Sequence, residues 1–227
     1  MNCGQYVAIR VPLLAAAVLL FAFAVRADSM DDKLFAAAEK GSVALISELL
    51  KQGAKVNAQD ARGRTPVMAA TYARQAGAVE ALLRAGADVN RRDAMLNNPF
   101  LYAGAEGMLE ILKLVHAAGA DPRITNRYGG TALIPAAERG HVEVVRWLLE
   151  NTKVSVNHVN RLGWTALMEA IVLSDGGPRH QEIVATLIRH GADVNIPDRD
   201  GRTPLDHARQ RGYTKIQALL EAAGARP

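Results

Sequence analysis

The sequence predicts an all-α solenoid of about six helix-turn-helix units. Only 5% of its 227 residues are aromatic, while alanine and leucine are abundant, which favours short packed helices over a bulky β-sandwich core. One polar position recurs about every 33 residues, a period typical of repeat proteins. A glycine follows most of the predicted second helices, where it can adopt a left-handed cap. Together these observations predict a stack of similar helix pairs.

The first recurring element is a helix start. Threonine or asparagine can cap a helix N-terminus, and proline is favoured at the next position. Such residues recur at steps of 33, 33, 34 and 38, namely Thr65, Asn98, Thr131, Thr165 and Thr203. One period before Thr65, Asp32 predicts the start of the first unit.

The two helices of each unit supply the predicted core. A single unit cannot bury its apolar face alone, so stacked units must share one continuous core. On the first helices we expect buried Leu34, Val67, Phe100, Leu133, Leu167 and Leu205. On the second helices we expect buried Leu49, Leu82, Leu83, Leu148, Leu149, Leu187 and Leu219.

Three segments of the repeat resemble the ankyrin repeat. "GRTPVMAA", "GGTALIPAAERGHVEVV" and "LLRAGADVN" are similar to the family's T-P-L-H-x-A-A, G-H-x-E-I-V and L-L-x-x-G-A-D-V-N segments. The resemblance covers residues 31–225 and implies an ankyrin repeat domain over residues 28–227. It also implies β-hairpin fingers that join successive units, and a concave palm that binds other proteins together with these fingers. The expected units are approximately 31–63, 64–96, 97–129, 130–163, 164–201 and 202–227.

The N-terminal segment predicts a signal peptide over residues 1–27. Arg10 precedes a fifteen-residue apolar run from Val11 to Val25, and the small residues around Ala27 suit cleavage there. A membrane-spanning helix needs about 20 apolar residues, so the run is short for an anchor, although an uncleaved anchor stays open. The only cysteine, Cys3, would be removed with the signal, which leaves no thiol for disulfides or metal ligation.

The predicted location and function follow from the resemblance. Exported ankyrin repeat proteins of proteobacteria look similar, which implies the periplasm of a Gram-negative bacterium. The net charge of +4 gives no concentrated basic face for nucleic acid. We therefore predict a monomeric, non-enzymatic adaptor or scaffold that binds a protein partner and needs no cofactor. The alternative is a secreted effector that binds a host protein.

The segment "SDGGPR", Ser174–Arg179, interrupts the repeat. It stands where the fourth unit has the single residue Gly140, so we expect an extended loop between two helices. An enzyme site around Asp175, Arg179 and His180 is a second alternative. However, His180 matches the repeat position of His141, which predicts a helix-start role. Asp198 in "DRDG" suits a finger turn better than a calcium loop, because a third acidic ligand is absent.

The central fingers predict the partner-binding site. Their tips are apolar or aromatic while the outer fingers are charged, and an apolar centre with a polar rim is typical of protein interfaces. The palm positions of the same units are Leu101, Tyr102, Ile134, Met168 and Glu169. The predicted partner-binding residues are Met95, Leu96, Tyr102, Arg127, Tyr128, Arg161, Leu162 and Trp164.

Overall fold

The computed structural model describes residues 29–226, so the predicted signal peptide lies outside the described residues. Within this range the chain forms twelve α-helices in six consecutive pairs, which confirms the predicted all-α repeat solenoid. None of the helices in residues 29–226 has the length and hydrophobicity of a membrane-spanning segment. The helices are α1 Met30–Lys40, α2 Val43–Lys51, α3 Pro66–Tyr72, α4 Ala76–Arg84, α5 Pro99–Ala105, α6 Leu109–Ala117, α7 Leu133–Glu138, α8 Val142–Asn151, α9 Ala166–Val172, α10 Pro178–Arg189, α11 Pro204–Gln210 and α12 Thr214–Ala222.

The stack has two layers because each helix packs on its partner and on the equivalent helix of the next unit. The odd-numbered helices α1 to α11 form one layer, and the even-numbered helices α2 to α12 form the other. All six core residues predicted on the first helices are at most 1% exposed. On the second helices Leu49, Leu82, Leu148 and Leu187 are buried.

Three of the predicted core leucines, Leu83, Leu149 and Leu219, are only partly buried. Consecutive residues on a helix point about 100° apart, so one leucine of each adjacent pair faces the core and the other faces its edge. In the last pair the buried member is Leu220 rather than Leu219.

Most of the predicted helix caps form. Thr65 Oγ1 accepts a hydrogen bond from Met68 N at 3.4 Å, and Asn98 Oδ1 accepts one from Leu101 N at 2.8 Å. Thr165 and Thr203 cap α9 and α11 in the same way. The prediction that Asp32 starts the first unit is wrong by one turn. Helix α1 begins at Met30 and Ser29 caps it, while Asp32 completes a reciprocal capping box from the third helical position.

Thr131 is the one exception among the predicted caps. Its side chain forms no cap, and its buried Oγ1 has no hydrogen-bond partner. The reason lies four residues on, where Pro135 has no N–H to donate to the Thr131 carbonyl. Ile134 N donates to that carbonyl instead, at 3.2 Å. The amide that would have reached the threonine hydroxyl is therefore already used.

The predicted β-hairpin fingers are turns, since no strand occurs in the described residues. Each turn is organised by a side-chain oxygen on its first residue, which accepts backbone hydrogen bonds from residues two and four positions on. These local bonds replace a ladder between strands. The first finger residues are Asp60, Asp93, Asn126, Asn160 and Asp198.

The predicted loop at 174–179 is shorter than expected. Helix α9 ends at Val172 and α10 begins at Pro178, so Pro178 and Arg179 belong to α10, which has 12 residues where α4 and α6 have 9. Proline suits this first position because its missing N–H would have had no partner there. The loop packs against the last unit, where Tyr213 Oη donates to Ser174 O at 2.6 Å.

Candidate functional site

A pocket with a volume of about 450 Å³ opens between three consecutive fingers and the helices α5, α7 and α9. We call it the central pocket. Five of the eight residues predicted to bind a partner line it: Met95, Tyr102, Arg127, Tyr128 and Leu162. The repeat geometry brings them together from positions up to 67 residues apart, because equivalent positions of stacked units are neighbours.

The other three predicted residues lie outside the lining of the pocket. Arg161 donates from Nη1 to the Arg127 carbonyl at 3.1 Å, so it ties one finger to the next. Trp164 is half-buried, and its backbone closes a finger turn through hydrogen bonds with Asn160. Leu96 is 36% exposed at the tip of its finger.

The rim of the pocket is apolar and exposed. Tyr128 is 51% exposed and Leu162 is 49% exposed, on neighbouring fingers. The Arg127 guanidinium lies 4.8 Å from the centroid of the Tyr128 ring, a cation-π contact. Arg127 Nη1 also approaches Met95 Sδ at 3.7 Å. Three consecutive fingers thus present one continuous patch of apolar and aromatic side chains to solvent.

Leu96 has an unusual backbone conformation. Its φ is 58°, in the left-handed region where the equivalent residues of the other fingers are glycines, namely Gly63, Gly129, Gly163 and Gly201. A bulky side chain in this region is strained by about 1–2 kcal/mol. A strained residue at an exposed position beside a pocket is consistent with a role in binding. The sequence indicates this strained position, because Leu96 stands where the other four fingers have glycine.

The floor of the pocket is acidic. Glu169 on α9 is only 5% exposed, and its Oε1 accepts a hydrogen bond from Asn160 Nδ2 at 2.7 Å. Burial and, secondarily, the charge of Glu138 raise the pKa of Glu169 to about 7, while the Asn160 bond opposes them. Near neutral pH this carboxyl is therefore close to half ionised. Glu138 on α7 is partly exposed and also lines the pocket.

One wall of the pocket is an ion-paired cluster. Glu106 pairs with Arg139 and, at 3.4 Å, with Arg74. Arg139 also donates to the Ala105 carbonyl at 3.1 Å. Tyr102 packs edge-on against Tyr72, with their ring centroids 4.2 Å apart. Burial, and then the charge of Glu106, raise the pKa of Tyr102, so its hydroxyl stays protonated at neutral pH.

The palm positions divide between core and pocket. Leu101 and Met168 are at most 2% exposed and belong to the core. Ile134 and Glu169 are also buried but line the pocket. The prediction of a palm surface is therefore wrong for Leu101 and Met168, because one face of each short helix packs on the next unit. Sequence reasoning placed Glu169 on the palm but did not select it, and it missed Glu138.

The loop considered for an enzyme site is also compact. His180 Nε2 lies 2.9 Å from the Glu138 carbonyl, and its Nδ1 lies 3.4 Å from Asp175 Oδ1. His141 makes the equivalent contact to Ala105 O at 3.2 Å, which confirms that the two histidines occupy the same repeat position. Both ring nitrogens of His180 thus have structural partners. No three histidine or acidic side chains in the described range group as a metal site would require.

Comparison with known proteins identifies the repeat. A family model for ankyrin repeats in three copies matches residues 13–93 and 100–198, and a second, for many copies, matches residues 177–220. The ankyrin repeat protein YahD of Escherichia coli K12 is 42% identical over 189 residues, which cover 83% of this chain and 94% of that protein.

Two solved ankyrin repeat structures are also similar to this chain. An ankyrin repeat domain from Acinetobacter baumannii AYE is 53% identical, with a TM-score of 0.83, and the match covers 85% of this chain and 98% of that domain. The ankyrin repeat protein EF0377 is 39% identical with a TM-score of 0.81, over 84% of this chain and 97% of its own.

Proposed function

Because this chain belongs to the ankyrin repeat family, we propose that it is a non-enzymatic adaptor that holds a protein partner on its central fingers and central pocket. Ankyrin repeats are interaction modules, so protein binding is the general function that the family supports. The observation that carries the specific proposal is the exposed apolar patch of Met95, Leu96, Tyr128 and Leu162 at the mouth of the pocket.

The patch has the composition of an interface centre. Tyrosine, methionine and arginine are enriched in such centres, and charged residues surround them. Arg127 contributes both a cation-π contact and an exposed donor. The outer fingers add charges at Arg62 and Asp200. A partner that covers the three central fingers would therefore meet an apolar centre and a polar rim.

We also propose that the adaptor works in the periplasm as a monomer. The support for the periplasmic location is the N-terminal sequence, in which Arg10 and the apolar run Val11–Val25 precede the small residue Ala27. The loss of Cys3 with that segment would suit an oxidising compartment. Fractionation of cells that express the full chain with a C-terminal tag tests this location. Tagged protein in the medium would favour the secreted alternative, and tagged protein in the membrane fraction would favour an uncleaved anchor.

Chemical crosslinking followed by affinity capture tests the binding proposal. The full chain with a C-terminal tag is compared with a Tyr128→Ala/Leu162→Ala variant in the same cells. The matched control is Val43→Ala/Leu45→Ala, which removes two side chains of similar exposure, 42% and 43%, from helix α2 far from the pocket.

We expect one or more proteins to be captured by the wild type and by the α2 control, and to be lost from the finger variant. Truncation of two central interface residues typically costs several kcal/mol of binding energy. Capture of the same proteins by all three would contradict the assignment of the central fingers. It would direct attention to the loop 173–177.

A further inference from the structure

We propose that the central pocket receives one lysine or arginine side chain from the partner protein, whose cationic group meets Glu169 and Glu138. The residues that flank this side chain in the partner would lie on Tyr128 and Leu162 at the rim. The inference rests on the proposed function and adds to it the chemistry that the partner must present.

The pocket contains a buried carboxyl group that is incompletely paired. Glu169 is 95% buried, and Asn160 satisfies only its Oε1. Its Oε2 accepts no hydrogen bond from any other side chain or backbone amide in the described range. Buried carboxylates are normally paired with a cation or several donors. Because Glu169 lines the pocket, a ligand that enters the pocket is in position to supply the missing donor.

The charges around the pocket also favour a cationic ligand. Glu106 is already neutralised by Arg139 and Arg74. Arg127 lies out on the rim, over the Tyr128 ring. Glu138 has no salt bridge within the described residues. The floor therefore carries two carboxyl groups without a cation, whereas every arginine of the lining is either paired or peripheral.

The walls of the pocket suit the aliphatic stem of a long basic side chain. Tyr102, Ile134, Pro135 and Leu173 line the pocket together with the two glutamates. Lysine and arginine bury an aliphatic stem along such apolar surface while the charged end seeks a polar group. The volume of about 450 Å³ lies within the range of small-ligand pockets and exceeds one side chain. A neutral apolar anchor would instead leave the glutamate floor unpaired.

Selection of displayed random peptides tests the proposal. Linear peptides are selected against the tagged full chain, and the enriched peptides are synthesised. Their affinity is measured by fluorescence anisotropy near pH 8, where Glu169 is ionised. We expect one position to be restricted to lysine or arginine. Its replacement by norleucine, which keeps the stem and removes the charge, should weaken binding about tenfold or more.

A double-mutant cycle assigns the contact. Glu169→Gln keeps an oxygen for the Asn160 donor and removes the charge. It should weaken the basic peptide about tenfold and leave the norleucine peptide nearly unchanged. The control is Glu110→Gln on the outer helix α6, which should change neither affinity. Glu138→Gln should have a smaller effect than Glu169→Gln, because Glu138 is less buried.

Two results would overturn the inference. In the first, the enriched peptides bind equally well with norleucine at the basic position, but bind the Tyr128→Ala/Leu162→Ala variant more weakly than the wild type. This result would remove the basic anchor and leave the proposed function intact. Selection without any preference for a basic residue would remove it as well. If the proposed function itself is wrong, the outcome differs from both of these. The Tyr128→Ala/Leu162→Ala variant would then bind the peptides and the captured proteins as well as the wild type does.

Discussion

Among single residues, Glu169 links the stability of the fold to the proposed recognition of a basic side chain. Its pKa is raised from an ordinary value of 4.5 to about 7, first by burial. Between these two values the unfolded chain loses the proton while the folded chain keeps it. The folded state is therefore destabilised as pH rises from about 4.5 to 7, and the loss is complete above pH 7. Burial of the Glu169 carboxyl group thus lowers the stability of the free protein above neutral pH. Such a loss is expected at a site where a ligand supplies the missing partner of the carboxylate.

Glu169→Gln should remove this pH-dependent loss. Near pH 8 the variant should be more stable than the wild type by on the order of 2–3 kcal/mol, which corresponds to several degrees in melting temperature. Near pH 5 the difference should be much smaller, since most of the folded protein is then protonated at this site. Thermal denaturation of both proteins at the two pH values measures this. An equal difference at both would show that ionisation of Glu169 is not the cause.

A substitution at Leu96 tests whether its left-handed backbone strains the folded state. In Leu96→Gly the left-handed φ of 58° costs no steric strain, although glycine adds entropy to the unfolded chain. We expect the free energy of unfolding to stay level or rise by about 1 kcal/mol, while partner capture weakens. Leu45→Gly, in the first turn of α2 at similar exposure, has no left-handed strain to relieve and should instead lose up to about 1 kcal/mol. Urea denaturation compares them, and equal losses would argue against strain at Leu96.

Among the elements, helix α7 shows how one residue changes a cap. Pro135 removes the amide that would bond to the Thr131 carbonyl, and Ile134 takes its place. Pro135→Ala should restore the longer bond and release Ile134 N to the Thr131 hydroxyl, which now has no partner. We expect a gain of about 1 kcal/mol, the typical contribution of an N-cap.

The matched control is Pro204→Ala at the first position of α11, where the Thr203 cap is already complete. It should give no gain, because no amide bond is missing there. Urea denaturation of the two variants separates the explanations. A similar change in both would mean that proline stiffness, rather than the lost amide, governs the stability of α7.

The elements also show what the sequence could predict. Helix pairs, most caps and the core of the first helices follow from local rules repeated along the chain, and these predictions are confirmed. The cap at Thr131 needed the effect of Pro135 four residues away. Which leucine of each adjacent pair is buried depends on the rotation of the second helix. The central pocket could be predicted only in part, because Glu138 on α7 and Glu169 on α9 stand at different positions of neighbouring repeats, and only the packing of these helices brings both to one pocket.

For the whole molecule, the pocket depends on the continuity of the stack. Its lining comes from α5, α7 and α9 and from three fingers, so no single unit contains it. Backbone hydrogen bonds join neighbouring fingers at Ala94 to Arg62 and at Arg161 to Tyr128, both at 2.9 Å. Arg161 and Arg199 add side-chain bonds to the carbonyl of the preceding finger. The array therefore holds the patch in place before a partner arrives, which reduces the entropy lost on binding.

Site-specific photocrosslinking in intact cells tests whether the central fingers contact a protein partner. p-Benzoylphenylalanine replaces Tyr128 at the rim of the pocket, or Val43 on helix α2, in the full chain. We expect a covalent adduct with a discrete protein from position 128 and none from position 43. We also expect Leu162→Ala to reduce the yield from position 128. No adduct from position 128, or the same adducts from both positions, would contradict the claim that the central fingers bind a protein partner.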